Sequence, residues 1–443
     1  MIYRLVHFIA RVSLGIYFRR IEIEGAERLR AAGPRIFVAN HPNTLIDVLL
    51  VGIHYPGKIH FLGKSVLFEN PLLAWFLGLF GAIPVYRQQD ASNMAQNVDS
   101  FARAFEVLEK GGAICLFPEG TSVTEPRLQK FKTGAARIAL GAEERNGWKL
   151  GLEIVPVALA YDEKSVFRSR ALVRVSDPIR AADWREGYER DAQETVRAFT
   201  AELERVFAEL LPQADDWRDL RSVDRVRRLY QDEQRRRGEA EADFLTGVRI
   251  SRQFLDGYAY YKSKDPAGVE ALRHKVDRFY QELDLAGVPP QAVALEVGTF
   301  QAILFLLANG IALLVGLPLY LFGLLHNYAA YRLVGILTRR MNPETEFEST
   351  YKLLIGLILF PIVHLVEAGV YTALLGRPAV FPVSLFLTGT TGFFTLLWWG
   401  QARRFALGIA VFLRNRGRVR TTLEKRRRQI LEDVEKLVAA YPR

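Results

Sequence analysis

His41, Asp47, Glu119 and a group of cations downstream are the residues of this 443-residue chain whose types and spacing suit chemistry. An apolar run, Arg35-Ile36-Phe37-Val38-Ala39, ends in Asn40-His41-Pro42-Asn43, and an apolar-periodic segment carrying Asp47 follows it. The pattern predicts a buried strand over 35–39, a turn, and a helix starting near Asn43 or Thr44, either of which is an acceptable N-cap. His41 then stands at the carboxyl end of a strand, where open α/β sheets bind their ligands. Asp47 falls in the first turn of the helix and can fold back toward the imidazole. A carboxylate that accepts from one ring nitrogen fixes the tautomer and leaves the other nitrogen to take a proton. That chemistry is general-base catalysis. Taken alone, the same residues also fit a turn histidine and an acid complementing a helix dipole.

A second apolar run over 113–117 breaks at Pro118-Glu119-Gly120-Thr121-Ser122. Glycine after the acid lets the backbone turn tightly and approach a ligand. Glu119 and Thr121 can bind hydroxyls, and free amides at such a turn can receive phosphate. Lys130, Lys132 and Arg137 follow closely. A third apolar segment, 81–87, finishes on Arg87, which also reads as a solvated strand end. Further strands are expected over 154–160 and 171–175. The uncharged run 71–86 has 16 residues; as a helix it covers about 24 Å, short of a ~30 Å hydrocarbon core. It therefore reads as a buried or half-inserted helix that can wall a groove for an acyl chain.

The elements that must carry these residues divide the chain into a 21–212 α/β catalytic domain, a charged helical region (213–293), an α-helical membrane domain (294–413) and a basic helix (414–443). Residues 1–20 precede them. There the arginines at 4 and 11 interrupt the apolar residues, and seven uncharged residues separate Arg11 from Arg19. That is too short to span, shows no cleavable signal, and suits an interfacial amphipathic helix. The net charge of +10 concentrates in 217–237 and 414–428. Such clusters suit nucleic acid, anionic lipid or phosphorylated small molecules. No nucleic-acid module accompanies them, and the long apolar segments favour membrane lipids as partners. Arg218, Arg221, Arg225 and Arg228 recur at helical spacing, as a salt-bridged solvent face or an anionic-lipid contact. The sole cysteine, Cys115, lies in an apolar run, so it reads as a buried strand residue and no intrachain disulfide is possible.

From 297 to 331 there are 35 residues without Lys, Arg, Asp or Glu. A straight helix of that length is about 52 Å, so Gly310, Gly316 and Pro318 predict a break and a helical hairpin. Two further spans are expected over 353–376 and 379–402. Arginines at 332, 339 and 340 before them and the 414–428 cluster after them put both flanks in the cytoplasm and the Arg377 loop outside. An even number of crossings then keeps the catalytic domain on the cytoplasmic face of an integral membrane protein. His364 and Glu367, three apart within a span, are candidates for function or a packing pair. Trp398 and Trp399 suit an interfacial aromatic belt, and the last helix, 421–440, suits the inner membrane surface.

In order and rough spacing, Asn40-His41 with Asp47, the 81–87 segment, Phe117 with Pro118-Glu119-Gly120-Thr121, and Val155-Pro156-Val157 resemble the four blocks of the glycerolipid acyltransferases. These are the family of the bacterial lysophosphatidate and glycerol-3-phosphate acyltransferases, and the resemblance covers roughly 20–210. His41 and Asp47 enclose five residues, one more than the usual family spacing. The histidine block looks more like the branch that includes the fungal glycerol-3-phosphate and dihydroxyacetone-phosphate acyltransferases. Ser122 stands where many members carry arginine. The resemblance implies a central sheet flanked by helices, and transfer of a fatty acyl group from acyl-CoA or acyl carrier protein to a hydroxyl of a glycerol-phosphate acceptor in phosphatidic acid biosynthesis. His41 would be the base and Asp47 its orienting partner. Glu119, Gly120 and Thr121 would bind the acceptor, with Arg87 and Lys132 on its phosphate. A backbone amide near the His41 turn is the expected oxyanion donor. No cofactor or metal is expected, because no second histidine lies at ligand spacing; His54 and His60 read as turn and strand residues. Glycerol-3-phosphate is the favoured acceptor. The alternatives are lysophosphatidate, lysophospholipid remodelling and, from another class, a non-catalytic membrane lipid-binding protein.

Overall fold

The computed structural model describes every residue except 1, 70, 72–73, 75–76, 79–80, 86–95, 123–124, 239–243, 289, 291–292, 294–298, 342, 415–417 and 443. Arg87 and much of the 71–86 run lie outside the described residues. The chain forms two compact units. One comprises Met1–Leu220, Asp243–Arg252 and Glu344–Thr350, and the other Arg221–Ala242, Gln253–Pro343 and Tyr351–Arg443.

The first unit opens with helix α1 (Ile2–Tyr17), then β1 (Arg20–Glu24), α2 (Ala26–Arg30), β2 (Arg35–Ala39), α3 (Leu45–His54), β3 (Ile59–Lys64) and β4 (Ile83–Val85). It continues with α4 (Gln96–Glu109), β5 (Ala113–Leu116), α5 (Gly134–Arg145), β6 (Glu153–Tyr161), β7 (Arg170–Val175), β8 (Ile179–Arg180), α6 (Arg185–Arg190) and α7 (Ala192–Leu210). The strands make one eight-stranded sheet in the order β1-β7-β6-β2-β5-β3-β4, with β8 paired to β6. β2 lies at the centre, parallel to β5 on one side and β6 on the other. All five of its residues are buried, as a continuous apolar run in a two-sided parallel sheet requires. Arg35 is accommodated there because its guanidinium pairs with Glu153 at 2.5 Å and donates to the Arg28 carbonyl at 2.7 Å. Antiparallel pairing enters where β7 and β8 turn back beside β6.

Alternate strand residues supply the two faces. Ile36, Val38, Ile114, Leu116 and Ile154 join Ala104 and Leu108 of α4, Ile138 of α5, and Phe199 and Phe207 of α7 in one buried cluster. Phe37 points the other way and meets Tyr55 edge-on at 5.2 Å. Cys115 is buried. α1 packs along α3, with Arg11 donating to the Ile53 carbonyl at 3.3 Å. Its Ala10, Leu14 and Tyr17 are buried while Ile2, Leu5, Phe8 and Val12 are exposed, the division of faces that an amphipathic helix shows.

In the second unit, α8 (Trp217–Arg236), α10 (Pro266–Ala286) and α14 (Arg418–Ala440) share a core of Leu229, Phe279, Leu283, Leu431 and Val434, while α9 (Phe244–Lys264) runs between the first two in sequence. On the basic face, Arg225 pairs with Asp277 and Arg228 with Asp224, each at 2.6 Å, so these two arginines are salt-bridged. α11 (Thr299–Arg340), α12 (Glu348–Leu375) and α13 (Val380–Arg414) supply three segments long and apolar enough to cross a membrane.

The expected hairpin over 297–331 is not what forms. α11 is one continuous helix of 42 residues with Pro318 inside it. Of the glycines that suggested a break, Gly316 serves close packing instead, as does Gly323 about two turns on. Gly316 lies against Phe394 and Trp398, and Gly323 against Thr391 and Thr395, so neither has room for a Cβ. Trp398 donates its indole N–H to the Leu313 carbonyl at 3.0 Å, a further tie between α13 and α11 beside Gly316. His364 and Glu367 do not pair with each other. Glu367 meets His326 Nδ1 at 3.1 Å, Tyr371 meets His326 Nε2 at 3.1 Å, and His364 meets Asn327 at 3.1 Å. Both residues thus join α12 to α11.

Candidate active site

Because β6, β2 and β5 are adjacent and parallel, their carboxyl ends open on the same edge of the sheet. β2 delivers His41, β5 delivers Phe117 to Glu119, and β6 delivers Tyr161. Asn40 ties β2 to β6 as the chain leaves the sheet: its amide donates to the Leu159 carbonyl at 3.0 Å and accepts from the Leu159 N–H at 2.7 Å.

His41 Nδ1 lies 3.0 Å from Asp47 Oδ2. The same oxygen accepts from the Asn43 N–H at 2.6 Å, and Oδ1 accepts from the Tyr161 hydroxyl at 2.5 Å. Asp47 is fully buried, and an ionised carboxylate can only accept. Nδ1 therefore carries the ring proton, and Nε2 presents a lone pair. Nε2 has no hydrogen-bond partner among the described residues, and the ring is 16% exposed, enough to reach a substrate. Phe117 stacks on it at 3.8 Å and 15°, which covers one face and limits rotation. Burial, the nearby Asp47 charge and the hydrogen bond to it push the Tyr161 hydroxyl well above its ordinary range, so Tyr161 remains a donor.

Between His41 and Asp47 the chain turns sharply at Thr44, the residue before α3. Its φ of 42° and ψ of −117° belong to the first central position of a type II′ turn, which glycine or asparagine ordinarily fills. The Ile46 N–H closes that turn on the Asn43 carbonyl at 3.0 Å. For a β-branched residue the conformation costs about 1–3 kcal/mol and persists only where its surroundings impose it. It is also why Thr44 makes no side-chain cap to α3, contrary to its N-cap propensity.

Every backbone polar group from His41 to Thr44 finds a partner. His41 N–H donates to Glu119 Oε1 at 2.9 Å, and Ser122 Oγ donates to the His41 carbonyl at 2.7 Å. Lys164 Nζ donates to the Pro42 carbonyl at 2.8 Å, and Thr44 N–H donates to Ser122 Oγ at 3.3 Å. The amides of His41, Asn43 and Thr44 are thus all engaged within the turn. Ser122 instead braces the turn from the β5 side.

Glu119 is buried, with its second oxygen accepting from the Gln129 N–H at 3.3 Å. Burial raises its carboxyl pKa, against the lowering pull of the His41 and Gln129 amides. Its carboxylate therefore braces the backbone around His41, a role that the expectation of hydroxyl binding did not contain. Gly120 follows at φ +69°, a backbone that favours glycine, and the end of the Lys132 side chain lies directly over it. The Lys132 N–H also donates to the Pro118 carbonyl at 2.8 Å. Glu119, Gly120, Thr121 and Lys132 thus gather at one turn beside His41, whereas Arg87 lies outside the described residues. His54 and His60 bond the backbone carbonyls of Leu50 and Gly81 at 2.7 and 2.9 Å and take no part. Tyr161, Ser122 and Lys164 were not foreseen as site residues. Tyr161 alone left a local signal, as a polar residue ending an apolar strand.

Residues 20–160 match the family model described as Acyltransferase. A chloroplastic 1-acyl-sn-glycerol-3-phosphate acyltransferase of Arabidopsis thaliana is 34% identical over 157 residues, covering 34% of this chain and 40% of that protein. Glycerol-3-phosphate O-acyltransferase 2 of Saccharomyces cerevisiae is 27% identical over 285 residues, covering 60% of this chain and 37% of that protein. The chain thus spans about two fifths of the length of these relatives. Among solved structures, the 1-acyl-sn-glycerophosphate acyltransferase PlsC from Thermotoga maritima aligns with a TM-score of 0.35 and 19% identity, over 47% of this chain and 79% of that one. Residues 20–160, which hold His41, Asp47 and Glu119, thus match the Acyltransferase family model, and the relatives that align with this region are named glycerolipid acyltransferases.

Proposed function

We propose that the protein is a membrane O-acyltransferase that moves a fatty acyl group from a thioester to a hydroxyl of a glycerol-phosphate acceptor, with glycerol-3-phosphate favoured. The observation that carries this reading is His41 at the sheet edge, its Nδ1 held by buried Asp47 at 3.0 Å and its Nε2 presenting a lone pair. An alcohol is a poor nucleophile at neutral pH, so its proton must leave as it attacks. In this reading the acceptor oxygen adds to the thioester carbonyl while its proton passes to Nε2, a step typically worth 10²–10⁴-fold. The tetrahedral adduct then collapses: the C–S bond breaks, and the imidazolium returns the proton to the departing thiolate. Asp47 stays ionised and balances the imidazolium charge. No residue of the protein is acylated.

Lys132 and Arg87 are proposed for the acceptor phosphate, Lys132 because its side chain lies over Gly120, and Arg87 because of the resemblance. Gly120 and Thr121 complete the acceptor side. The donor is acyl-CoA or acyl carrier protein, as co-substrate. The Saccharomyces relative, named for glycerol-3-phosphate, aligns well beyond the acyltransferase domain, which favours that acceptor. Lysophosphatidate is the second reading, favoured by the higher identity to the Arabidopsis relative.

The apolar residues exposed on α1 and the three long apolar helices support a membrane setting. An uninterrupted α11 withdraws the even crossing count that a hairpin supplied. Sidedness rests instead on Glu344–Thr350, which belongs to the same compact unit as His41 and follows closely on Arg339 and Arg340. The positive-inside tendency assigns those arginines to the cytoplasm, and with them the catalytic domain. This requires that α11, although long and apolar enough to span, does not pass from one side to the other, so that α12 and α13 make the two crossings.

The test is thiol release from a long-chain acyl-CoA by purified protein, with glycerol-3-phosphate and lysophosphatidate offered separately, then with acyl carrier protein as donor. Faster release with glycerol-3-phosphate is expected, together with its loss in a folded His41→Ala variant. Equal turnover by that variant removes the general-base reading. Silence with both acceptors and both donors leaves a non-catalytic lipid-binding protein.

A further inference from the structure

We propose that Glu344–Thr350 completes the acyltransferase site, with Thr350, Ser349 and Lys164 acting as positioning residues that hold the His41 turn in its working conformation. The proposal rests on the general-base reading of His41.

Thr44 is the conformational weak point of that turn, since a β-branched residue resists a φ of 42°. Relaxation of Thr44 would rotate the Asn43–Thr44 peptide and disturb the Asn43 N–H that helps to hold Asp47. What opposes relaxation comes from some 300 residues downstream. The Thr44 hydroxyl donates to the Glu346 carbonyl at 3.0 Å. Its one proton is then committed, so the Thr350 hydroxyl, 2.7 Å away, must donate to it. A second grip reaches the turn through Lys164, whose ammonium donates to the Pro42 carbonyl and whose own carbonyl accepts from Ser349 Oγ at 2.5 Å. The contacts close a ring: Thr44, Thr350, Ser349, Lys164, Pro42 and back along the chain. Thr44, Ser349 and Thr350 are all buried, so water does not readily replace a lost hydroxyl. Glu119 and Ser122 restrain His41 and the Thr44 amide from the other side but do not touch the Thr44 side chain in these bonds. The segment lies outside the 20–160 match, so that region alone lacks half of the grip on its own catalytic turn.

The experiment uses the full-length protein in lipid nanodiscs with four variants. Thr350→Val keeps the shape and removes the donor; kcat is expected to fall between about 10- and 100-fold, the range that small misplacements of catalytic groups produce, with KM for the thioester unchanged. Thr350→Ser, which keeps the hydroxyl, is expected to restore most of the loss. Thr44→Val should lose activity like Thr350→Val, whereas Thr44→Gly should recover much of it, because glycine adopts this backbone unaided. A role confined to filling space gives the reverse order at Thr44, with glycine worst, and that order overturns the proposal.

A second readout does not depend on turnover: the rate at which diethylpyrocarbonate modifies His41, followed by mass spectrometry of its peptide. Loosening the turn should speed modification in both valine variants and leave the serine and glycine variants near wild type. That pattern with no acyl transfer by the wild type would retain the positioning role and discard the acyltransferase reading. Unchanged modification and unchanged kcat in Thr350→Val would discard the positioning role alone. Should Thr350→Val fail to accumulate, Ser349→Ala loosens the same ring through Lys164 and is read in the same two ways.

Discussion

Asp47 spends both oxygens on three donors, the His41 ring, the Asn43 amide and the Tyr161 hydroxyl, so the direction of the imidazole depends on groups that never meet substrate. Tyr161→Phe removes the donor to Oδ1 without changing the shape of the site and strands a buried acceptor, a loss of about 1–3 kcal/mol. The expected outcome is a lower kcat with little change in KM and a lower unfolding midpoint; full activity would mean that the other two donors suffice. The buried hydroxyl also gives a signature in pH. Tyr161 is held well above its ordinary value, and burial pushes Tyr17 up to about 12. In the unfolded chain both ionise near about 10. With the folded value the higher one, the unfolded state sheds its protons first as pH rises. Stability is therefore intact below about 10 and declines above it. Thermal unfolding followed from pH 8 to 11, with phenolate absorbance as a second signal, should show the decline and a shallower one in Tyr161→Phe. Ionisation of these tyrosines in the still-folded protein at an ordinary pH would contradict it.

The strands that carry the site are local objects, and this is why they could be read from the chain. β2, β5, β6 and β7 form over the expected apolar runs to within about two residues, since a strand buried on both faces has to be a continuous apolar stretch. The helix after His41 was legible too, apart from the missing cap. Strand order was not legible. It depends on β6 lying beside β2 across more than 100 residues of chain, and so the assembly of Tyr161 with Asp47 was invisible, as was the reach of Thr350 to Thr44. Glycine misled in the opposite sense: in α11 it suits both a break and a close helix contact, and only the partner helix decides which. The element-scale link with most leverage on the site is Asn40, which replaces the strand ladder with two side-chain bonds to Leu159 just as β2 ends. Asn40→Ala leaves the buried N–H and carbonyl of Leu159 without those partners. It should cost about 2–4 kcal/mol in denaturant unfolding, more than an exposed substitution gives. A cost below about 0.5 kcal/mol would show that backbone or water takes over both bonds.

At the scale of the whole molecule, the chain leaves the first unit near Leu220, supplies Asp243–Arg252, and returns once more as Glu344–Thr350, which follows α11 and runs into the start of α12. A domain interrupted in this way cannot be separated from its helices by cutting at the end of the family match. It also fixes a topological expectation, because the connection after Arg340 and the surface around His41 must share one side of any membrane the helices cross. Single cysteines introduced at Lys130 on the exposed catalytic surface, at Thr345 in the returning segment, and at Pro378 in the turn between α12 and α13 test this, since the native Cys115 is buried. In inside-out vesicles a membrane-impermeant maleimide should label Lys130→Cys and Thr345→Cys before lysis, and Pro378→Cys only after it. Labelling of Lys130→Cys and Thr345→Cys from opposite sides would break the catalytic unit as drawn and, with it, the grip of Thr350 on the His41 turn. Labelling of both from the outer side would keep the unit intact but move the chemistry to the face where cytoplasmic thioesters are absent, and a different acyl donor would then have to be sought.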